Sequence, residues 1–181
     1  LRFVECYAAT APACQGQAQK VLMAVEEFCK SRKLWLKLAG GVKAQLLETL
    51  LQHLRPSRIL EVGCYVGYSA VRFGAAVQWR KGEVCSVEMD PIFAQVARKL
   101  AHHAQLTDVV SIHVGHSEEV LPRLSGHFDM IFFDQRGSRF LKDVEILLHE
   151  AALTTHGTVL VADNVLKPGA PRFLWYLQGE N

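Results

Sequence analysis

The chain lacks a long apolar run and a strong charge of either sign. No uninterrupted apolar stretch reaches the roughly 18 residues that a membrane-spanning helix needs, so we expect no membrane span. The formal net charge is only +2 over 181 residues, and the basic residues are scattered along the chain. This balance argues against nucleic acid or an anionic membrane surface as a partner.

Cysteine is scarce, and its count is odd. The five cysteines include no C-x-x-C spacing, which does not suit a disulfide framework, and we therefore expect an intracellular, reducing compartment. The sequence starts at Leu1 and shows no basic segment followed by an apolar one, so no signal peptide is visible. It leaves open whether the chain is processed or is part of something longer.

Length and composition predict a single globular domain over 1–181. Half of the residues are hydrophobic and 21% are charged, as in soluble globular proteins, and no linker or internal repeat divides the chain. Apolar residues at helical spacing predict helices in the first part, 1–57. The second part, 58–181, alternates strand-like and helix-like segments and forms the predicted core.

Five short apolar runs alternate with helical patterns in this core. They are rich in Val, Ile and Phe and nearly continuous, as in strands buried on both faces. The runs cover 58–62, 83–88, 109–114, 128–133 and 157–162. Strand–helix alternation predicts an α/β fold with a doubly wound, mostly parallel sheet and helices on both faces. Ligands of such sheets bind at the carboxyl ends of the strands.

The first run leads into a glycine turn, and the second run ends in an acid. Gly63 and Gly67 allow a tight turn and a close approach of a ligand to the backbone. Glu88 follows Gly67 by 21 residues, where a carboxylate can accept both hydroxyls of a ribose. The glycines alone fit a purely structural turn equally well, because their spacing is not G-x-G-x-x-G. Together with Glu88 they predict a nucleoside-type cofactor.

Oxygen ligands follow the fourth and fifth runs. Asp134 ends the fourth run, and Asp163 and Asn164 end the fifth. In the simplest topology these strands are neighbours, and two carboxylates with an amide oxygen suit Mg²⁺ or Ca²⁺ better than Zn²⁺. Each residue alone fits a helix cap better than a metal ligand. The set at one sheet edge, beside a cofactor site, favours a metal.

Together these segments resemble the catechol O-methyltransferase family of S-adenosylmethionine-dependent, Rossmann-like enzymes. The matching segments are EVGCYVGYSAVR (61–72), SVEMDP (86–91), VGHSEEVLP (114–122), DMIFFD (129–134) and GTVLVADNVLKPGAP (157–171). They occur in order from about Ala24 to the end of the chain, and the last is the most specific. The resemblance implies S-adenosylmethionine and Mg²⁺ as cofactors, and O-methylation of a small, catechol-like diphenol substrate.

The resemblance also implies a role for each matching residue. The cofactor would be bound by Glu61, Gly63, Tyr65, Gly67, Tyr68, Ser69, Glu88, Met89, Gly115, His116, Ser117, Asp134 and Arg136. The metal would be held by Asp134, Asp163 and Asn164. Trp35 and Pro168 would line the substrate pocket.

The general base departs from the family pattern. The family's lysine falls at Gly137, which has no side chain to take a proton. Lys37 and Lys167 match positions that line the site, and each is a candidate substitute base because burial favours a neutral amine. Arg136 replaces the aromatic residue that the family places beside the adenine.

The length of the core is a second departure. Family members continue with about two more strands, so we expect the C-terminal strands to be missing here and one sheet edge to be open, to be covered by a protein partner or a further segment. This leaves a second class open: a catalytically degenerate methyltransferase fold that serves as a structural or accessory subunit of a larger assembly. A protein that only senses the cofactor is a third alternative. The retained glycines, Glu88 and the three metal ligands favour the enzyme.

Overall fold

The computed structural model describes residues 16–31, 38–150 and 152–179. Trp35 and Lys37 lie outside these residues, so their predicted roles stay predictions. The helices are α1 (Ala18–Ser31), α2 (Val42–Leu54), α3 (Tyr68–Val77), α4 (Pro91–His103), α5 (Ser117–Val120), α6 (Phe140–His149) and α7 (Pro171–Gln178). The strands are β1 (Arg58–Val62), β2 (Glu83–Glu88), β3 (Val110–Val114), β4 (Met130–Phe133) and β5 (Val159–Ala162).

The five strands form one parallel sheet in the order β3-β2-β1-β4-β5. Leu60 of β1 is paired with Cys85 of β2 on one side and with Ile131 of β4 on the other. The chain winds outward from β1 in one direction and from β4 in the other, which confirms the predicted doubly wound α/β fold. The reversal places a crevice at the carboxyl ends of β1 and β4, where ligands of such folds bind.

The last three strands begin one or two residues later than the apolar runs predict. Phe128, for example, donates its backbone N–H to the carbonyl of Leu153 and not to a neighbouring strand. A buried apolar residue can therefore lengthen the apolar run in the sequence without lengthening the hydrogen-bonded strand, because burial and strand pairing are separate requirements.

Different helices cover the two faces of the sheet. Ile59, Met130 and Phe132 point to one face and belong to a cluster with residues of α1, α2, α3 and α4. Leu60 and Phe133 point to the other face, where they pack with residues of α5, α6 and α7. Alternation along β1 and β4 thus fills both layers. Each fully buried Leu or Phe contributes about 1.5–3 kcal/mol to folding.

β5 is an edge strand among the described residues. Leu160 in its middle is 40% exposed, and Trp175 and Leu177 of α7 are 64% and 56% exposed. Cover of this edge by a partner stays a prediction.

The described residues include three free cysteines and no candidate membrane span. No helix there has both the length and the apolar character needed to cross a membrane. Cys29, Cys64 and Cys85 are free thiols, and burial raises the pKa of Cys64 above its usual range.

Candidate active site

Gly63 brings the turn after β1 against the residue that follows β4. Its φ is +98°, and a Cβ there would lie 2.7 Å from the carbonyl carbon and oxygen of Asp134 and 2.8 Å from the backbone nitrogen of Gln135. The Gly63 N–H bonds to the Val87 carbonyl (3.0 Å), and the Asp134 N–H bonds to the Val62 carbonyl (2.9 Å). A glycine is needed here both for the backbone angle and for the space. The predicted cofactor turn and a predicted metal ligand are therefore in direct contact.

Glu88 is held by two backbone N–H groups at the end of β2. Its Oε2 accepts from Tyr65 (2.7 Å), and its Oε1 accepts from Asp90 (2.9 Å). Tyr65 has a φ of +50°, and its ring packs edge-on against Phe93 with 4.6 Å between centroids. A carboxylate oxygen has two lone pairs, so each oxygen of Glu88 retains one acceptor position relative to these two bonds. Two such positions suit the two hydroxyls of a ribose.

Glu61 lies under the glycine turn as a fully buried acid. The Ser86 hydroxyl donates to its Oε2 at 2.6 Å, and its Oε1 has no hydrogen-bond partner among the described residues. Burial raises the pKa of Glu61 to about 7, above the usual range of a carboxyl. The Glu61 side chain therefore links β1 to β2 beside the glycine turn, and its pKa lies near neutral pH.

Tyr68 and Ser69 begin α3, and both are buried. The Tyr68 hydroxyl donates to Glu26 of α1 and accepts from Arg72 at 2.5 Å. Arg72 also pairs with Glu48 of α2, so three helices meet at one buried guanidinium. Burial and the bond to Glu26 raise the pKa of Tyr68. The hydroxyl points into the helical layer, and the predicted contact of Tyr68 with the cofactor stays a prediction.

A buried acid joins the loop after β3 to the turn after β4. Asp143 of α6 is fully buried, and it accepts from the Ser117 hydroxyl (2.6 Å) and from the Gln135 amide. Burial raises the pKa of Asp143 to about 6. The sequence analysis missed Asp143, although a charged residue inside an apolar helical stripe was a usable signal. The acid fixes the loop that contains two predicted adenine contacts, Gly115 and Ser117.

The other predicted adenine contacts lie at the surface of this loop region. Met89 is 55% exposed, and His116 and Arg136 are exposed as well. The His116 Nδ1 lies 3.2 Å from the Arg139 guanidinium, which also pairs with Glu118. An exposed residue at the mouth of a crevice is available to a ligand, but nothing in these contacts selects adenine.

The predicted metal ligands meet at the carboxyl ends of β4 and β5. The Asn164 amide donates to the Asp134 Oδ1 at 3.0 Å, and the Asn164 backbone N–H donates to the Asp163 Oδ1 at 2.6 Å. Over the described part of the chain, no group of three or more His, Cys, Asp or Glu side chains is placed to hold a metal. Among the described residues, a metal bound here would therefore have two carboxylates, and the amide oxygen of Asn164 is the candidate for a third protein ligand.

Lys43 is a second residue of the site, besides Asp143, that the sequence did not single out. Its ammonium lies 2.7 and 2.8 Å from the two carboxylate oxygens of Asp163 and 3.0 Å from the Asn164 Oδ1. Lys43 is 120 residues away from Asp163 and belongs to a helical pattern, so no local signal pointed to it. A positive group on these oxygens acts as a stand-in for a cation, and hard oxygen donors are the type that Mg²⁺ prefers. The donor set therefore fits the ion.

The segment after Asn164 packs against Gly137. A Cβ on Gly137 would overlap the carbonyl oxygen of Gly169 and lie 2.9 Å from the Cβ of Ala170. Lys167 is exposed and makes no hydrogen bond or ion pair with any other described residue, and the Lys167–Pro168 peptide is cis. Pro168 is exposed, and its role in a substrate pocket stays a prediction.

Comparison with known proteins agrees with this architecture. The O-methyltransferase from Bacillus cereus in complex with SAH superposes with a TM-score of 0.76 at 24% identity, over 88% of this chain and 79% of that chain. A putative O-methyltransferase from Klebsiella pneumoniae has the same TM-score and covers 88% of this chain and 78% of its own. The chain therefore has the same Rossmann-like fold as these two structures.

Sequence relatives define the family more closely. The O-methyltransferase family profile matches residues 15–171. Catechol O-methyltransferase of Mus musculus is 37% identical over 171 residues, which are 92% of this chain and 63% of the relative. Transmembrane O-methyltransferase of Homo sapiens is 36% identical over 167 residues, 89% of this chain and 56% of the relative. The chain belongs to the O-methyltransferase family, and it spans less than two thirds of the length of these two relatives.

Proposed function

We propose that this chain is the S-adenosylmethionine-binding core of an O-methyltransferase that uses Mg²⁺ to methylate one hydroxyl of a catechol-like diphenol. The observation that carries the proposal is the contact between Gly63 and Asp134. It joins the cofactor turn to the metal ligands, so a methyl donor and a metal-bound hydroxyl would lie side by side at the switch point of the sheet.

The cofactor end of the site is supported by Glu88. This acid is fixed by the backbone N–H groups of Tyr65 and Asp90, and it keeps an acceptor position on each oxygen for a ribose hydroxyl. The turn at Gly63 would lie beside the methionine part, and Ser117, held by Asp143, would flank the adenine. These residues bind and orient, and none of them exchanges a proton with the substrate.

The metal end of the site is supported by Asp134, Asp163 and Asn164. Their oxygens would hold Mg²⁺, which when bound lowers the pKa of a coordinated hydroxyl and orients it for transfer. The protein would contribute position as well, because neighbouring parallel strands set the spacing of the carboxylates. A diphenol offers two adjacent oxygens and so suits chelation by one ion.

The carboxylate of Glu88 provides the decisive test. We expect S-adenosylmethionine to bind to the wild-type protein in calorimetric titration, and Glu88→Gln to weaken binding about 10- to 100-fold, since a hydrogen bond to a charged group is worth about 1.5–3 kcal/mol. Glu83→Gln is the matched control, because Glu83 begins the same strand and pairs with Arg58 at its other end. Equal weakening by both variants, or no binding to any form, would overturn the proposal.

Turnover requires a separate measurement. The protein would be incubated with S-adenosylmethionine and catechol, with and without Mg²⁺, and the methylated diphenol would be detected by mass spectrometry. We expect product only when Mg²⁺ is present. Product formed equally well without the ion would remove the metal from the proposal.

One observation favours a second function, that of a non-catalytic accessory subunit. The backbone of Gly169 fills the space into which a side chain at Gly137 would project, so the family's base is not merely absent but has no room. Cofactor binding without any turnover would support this second function.

A further inference from the structure

We propose that Lys43 is an internal counter-cation of the metal site, which neutralises Asp163 and occupies the Asn164 amide oxygen in the metal-free protein and must withdraw before a divalent ion can bind. The inference rests on the proposed function, because it concerns the same Mg²⁺ site. It adds a residue and a control step that the matching motifs do not contain.

Lys43 makes three short contacts with the residues that follow β5. Its ammonium donates hydrogen bonds to the Asp163 Oδ2 and the Asn164 Oδ1, and it forms an ion pair with the Asp163 Oδ1 at 2.7 Å. These are the same oxygens that a metal would need from β5. The Asn164 amide nitrogen meanwhile donates to Asp134. Each of the three predicted ligands therefore already contacts a protein donor, and an ion that binds to the oxygens of Asp163 and Asn164 would compete with the ammonium for them.

The position of Lys43 on its helix shows that the acidic site holds it there. Lys43 is the second residue of α2, and a helix N-terminus carries partial positive charge that disfavours a cation. The ammonium thus gains nothing from its own helix. Its attraction to Asp163, which is only 14% exposed, outweighs this unfavourable position.

Lys43 also has a route away from the site. Its side chain is 50% exposed, so the ammonium can return to water by rotation of its own side chain. Gly41 precedes α2 with a φ of +60°, and a Cβ there would have no atom of the described residues within 4 Å. A divalent ion and an ammonium on the same oxygens repel each other, and the ion therefore selects the withdrawn conformation.

The test is the affinity of the metal in the absence of any substrate. Mn²⁺ and Mg²⁺ would be titrated calorimetrically into the wild-type chain, Lys43→Met, Lys43→Arg and Lys99→Met. Lys43→Met removes the charge but keeps the length of the side chain, and we expect at least tenfold tighter binding. Lys43→Arg should bind no more tightly than the wild type. Lys99 lies exposed on α4, and Lys99→Met controls for the loss of one positive charge.

Thermal unfolding gives a second readout that does not depend on activity. Lys43→Met should melt at a lower temperature than the wild type without metal, because Asp163 loses its counter-cation, and Mn²⁺ should raise its melting temperature by more than it raises that of the wild type. Unchanged or weaker metal binding by Lys43→Met would overturn the proposal that the ion displaces Lys43, but it would not contradict the Mg²⁺ site itself. Absence of metal binding in all four proteins would overturn both, whereas the Glu88 titration would still decide cofactor binding.

Discussion

Gly137 lies against the carbonyl group of Gly169, so the turn after β4 and the segment after β5 are in van der Waals contact at the position where the resemblance implies a lysine. A Cβ on Gly137 would be closer to that oxygen than real Cβ atoms come to their neighbours. The glycine is therefore part of how the two turns pack, and introducing a lysine there is a structural change as well as a chemical one.

Substitution of Gly137 should accordingly cost stability without restoring a base. We expect Gly137→Ala and Gly137→Lys to lower the free energy of unfolding by about 1–3 kcal/mol, as for other overpacked sites, and neither to raise turnover. Gly157→Ala is the control, since a Cβ there meets nothing within 4 Å, and it should change stability by less than about 0.5 kcal/mol. Urea unfolding measures both. A Gly137→Lys protein that is as stable as the wild type would contradict the packing argument.

The close approach of Gly63 to Asp134 predicts a larger effect. Gly63→Ala combines a left-handed backbone with a backbone overlap at 2.7 Å, and we expect a loss of about 3 kcal/mol or more together with weakened metal binding. Gly41→Ala has the strained backbone without the overlap. The difference between the two variants in urea unfolding isolates the overlap, and equal losses would show that the contact with Asp134 does not matter.

Glu61 should make stability fall as pH rises. Its pKa in the folded protein, about 7, lies above the 4.5 of an ordinary carboxyl, so the folded state binds this proton more tightly than the unfolded state. The contribution of this group is complete below about pH 4.5 and is lost as pH rises to about 7. Glu61→Gln should remove this slope, and its stability relative to the wild type should improve by about 3 kcal/mol at most.

The measurement for Glu61 is the free energy of unfolding of both proteins at several pH values between 4 and 8. The difference between them should grow with pH and then level off above pH 7. A difference that is the same at every pH would mean that the carboxyl is not buried as described.

Asp143 should prove to be a positioning residue for the loop after β3. Asp143→Leu leaves the Ser117 hydroxyl and the Gln135 amide without their buried acceptor, and we expect a loss of about 2–4 kcal/mol in stability and weaker S-adenosylmethionine binding. Asp143→Asn keeps one of the two acceptor oxygens and should lose less stability and less cofactor affinity than Asp143→Leu. Calorimetry and thermal unfolding check the pair; tight cofactor binding by a folded Asp143→Leu protein would refute the role.

Local chemistry explains why some features could be predicted from the sequence. β1 and β2 run over the predicted residues because each is a continuous apolar run closed by a turn or a charge. Asp90 is the N-cap of α4, and Pro91 is its first residue, as the sequence predicts. The Asp90 carboxylate accepts from the N–H of Ile92. The neighbouring positions of Asp134 and Asn164 followed from strand order, because parallel strands end at one edge.

By itself, the sequence determined the α/β class, the strand ends that carry the candidate ligands and the family of the chain, since these depend on periodicity and on contiguous motifs. Only the tertiary structure decided that the Lys43 ammonium lies on Asp163, that Asp143 is buried beneath Ser117, and that Gly137 has no room for a side chain. These relationships join residues from separate elements through packing and close electrostatic contact. Packing and electrostatic contacts of this kind produce no periodic pattern in the sequence, because they depend on how helices and turns lie against one another in space.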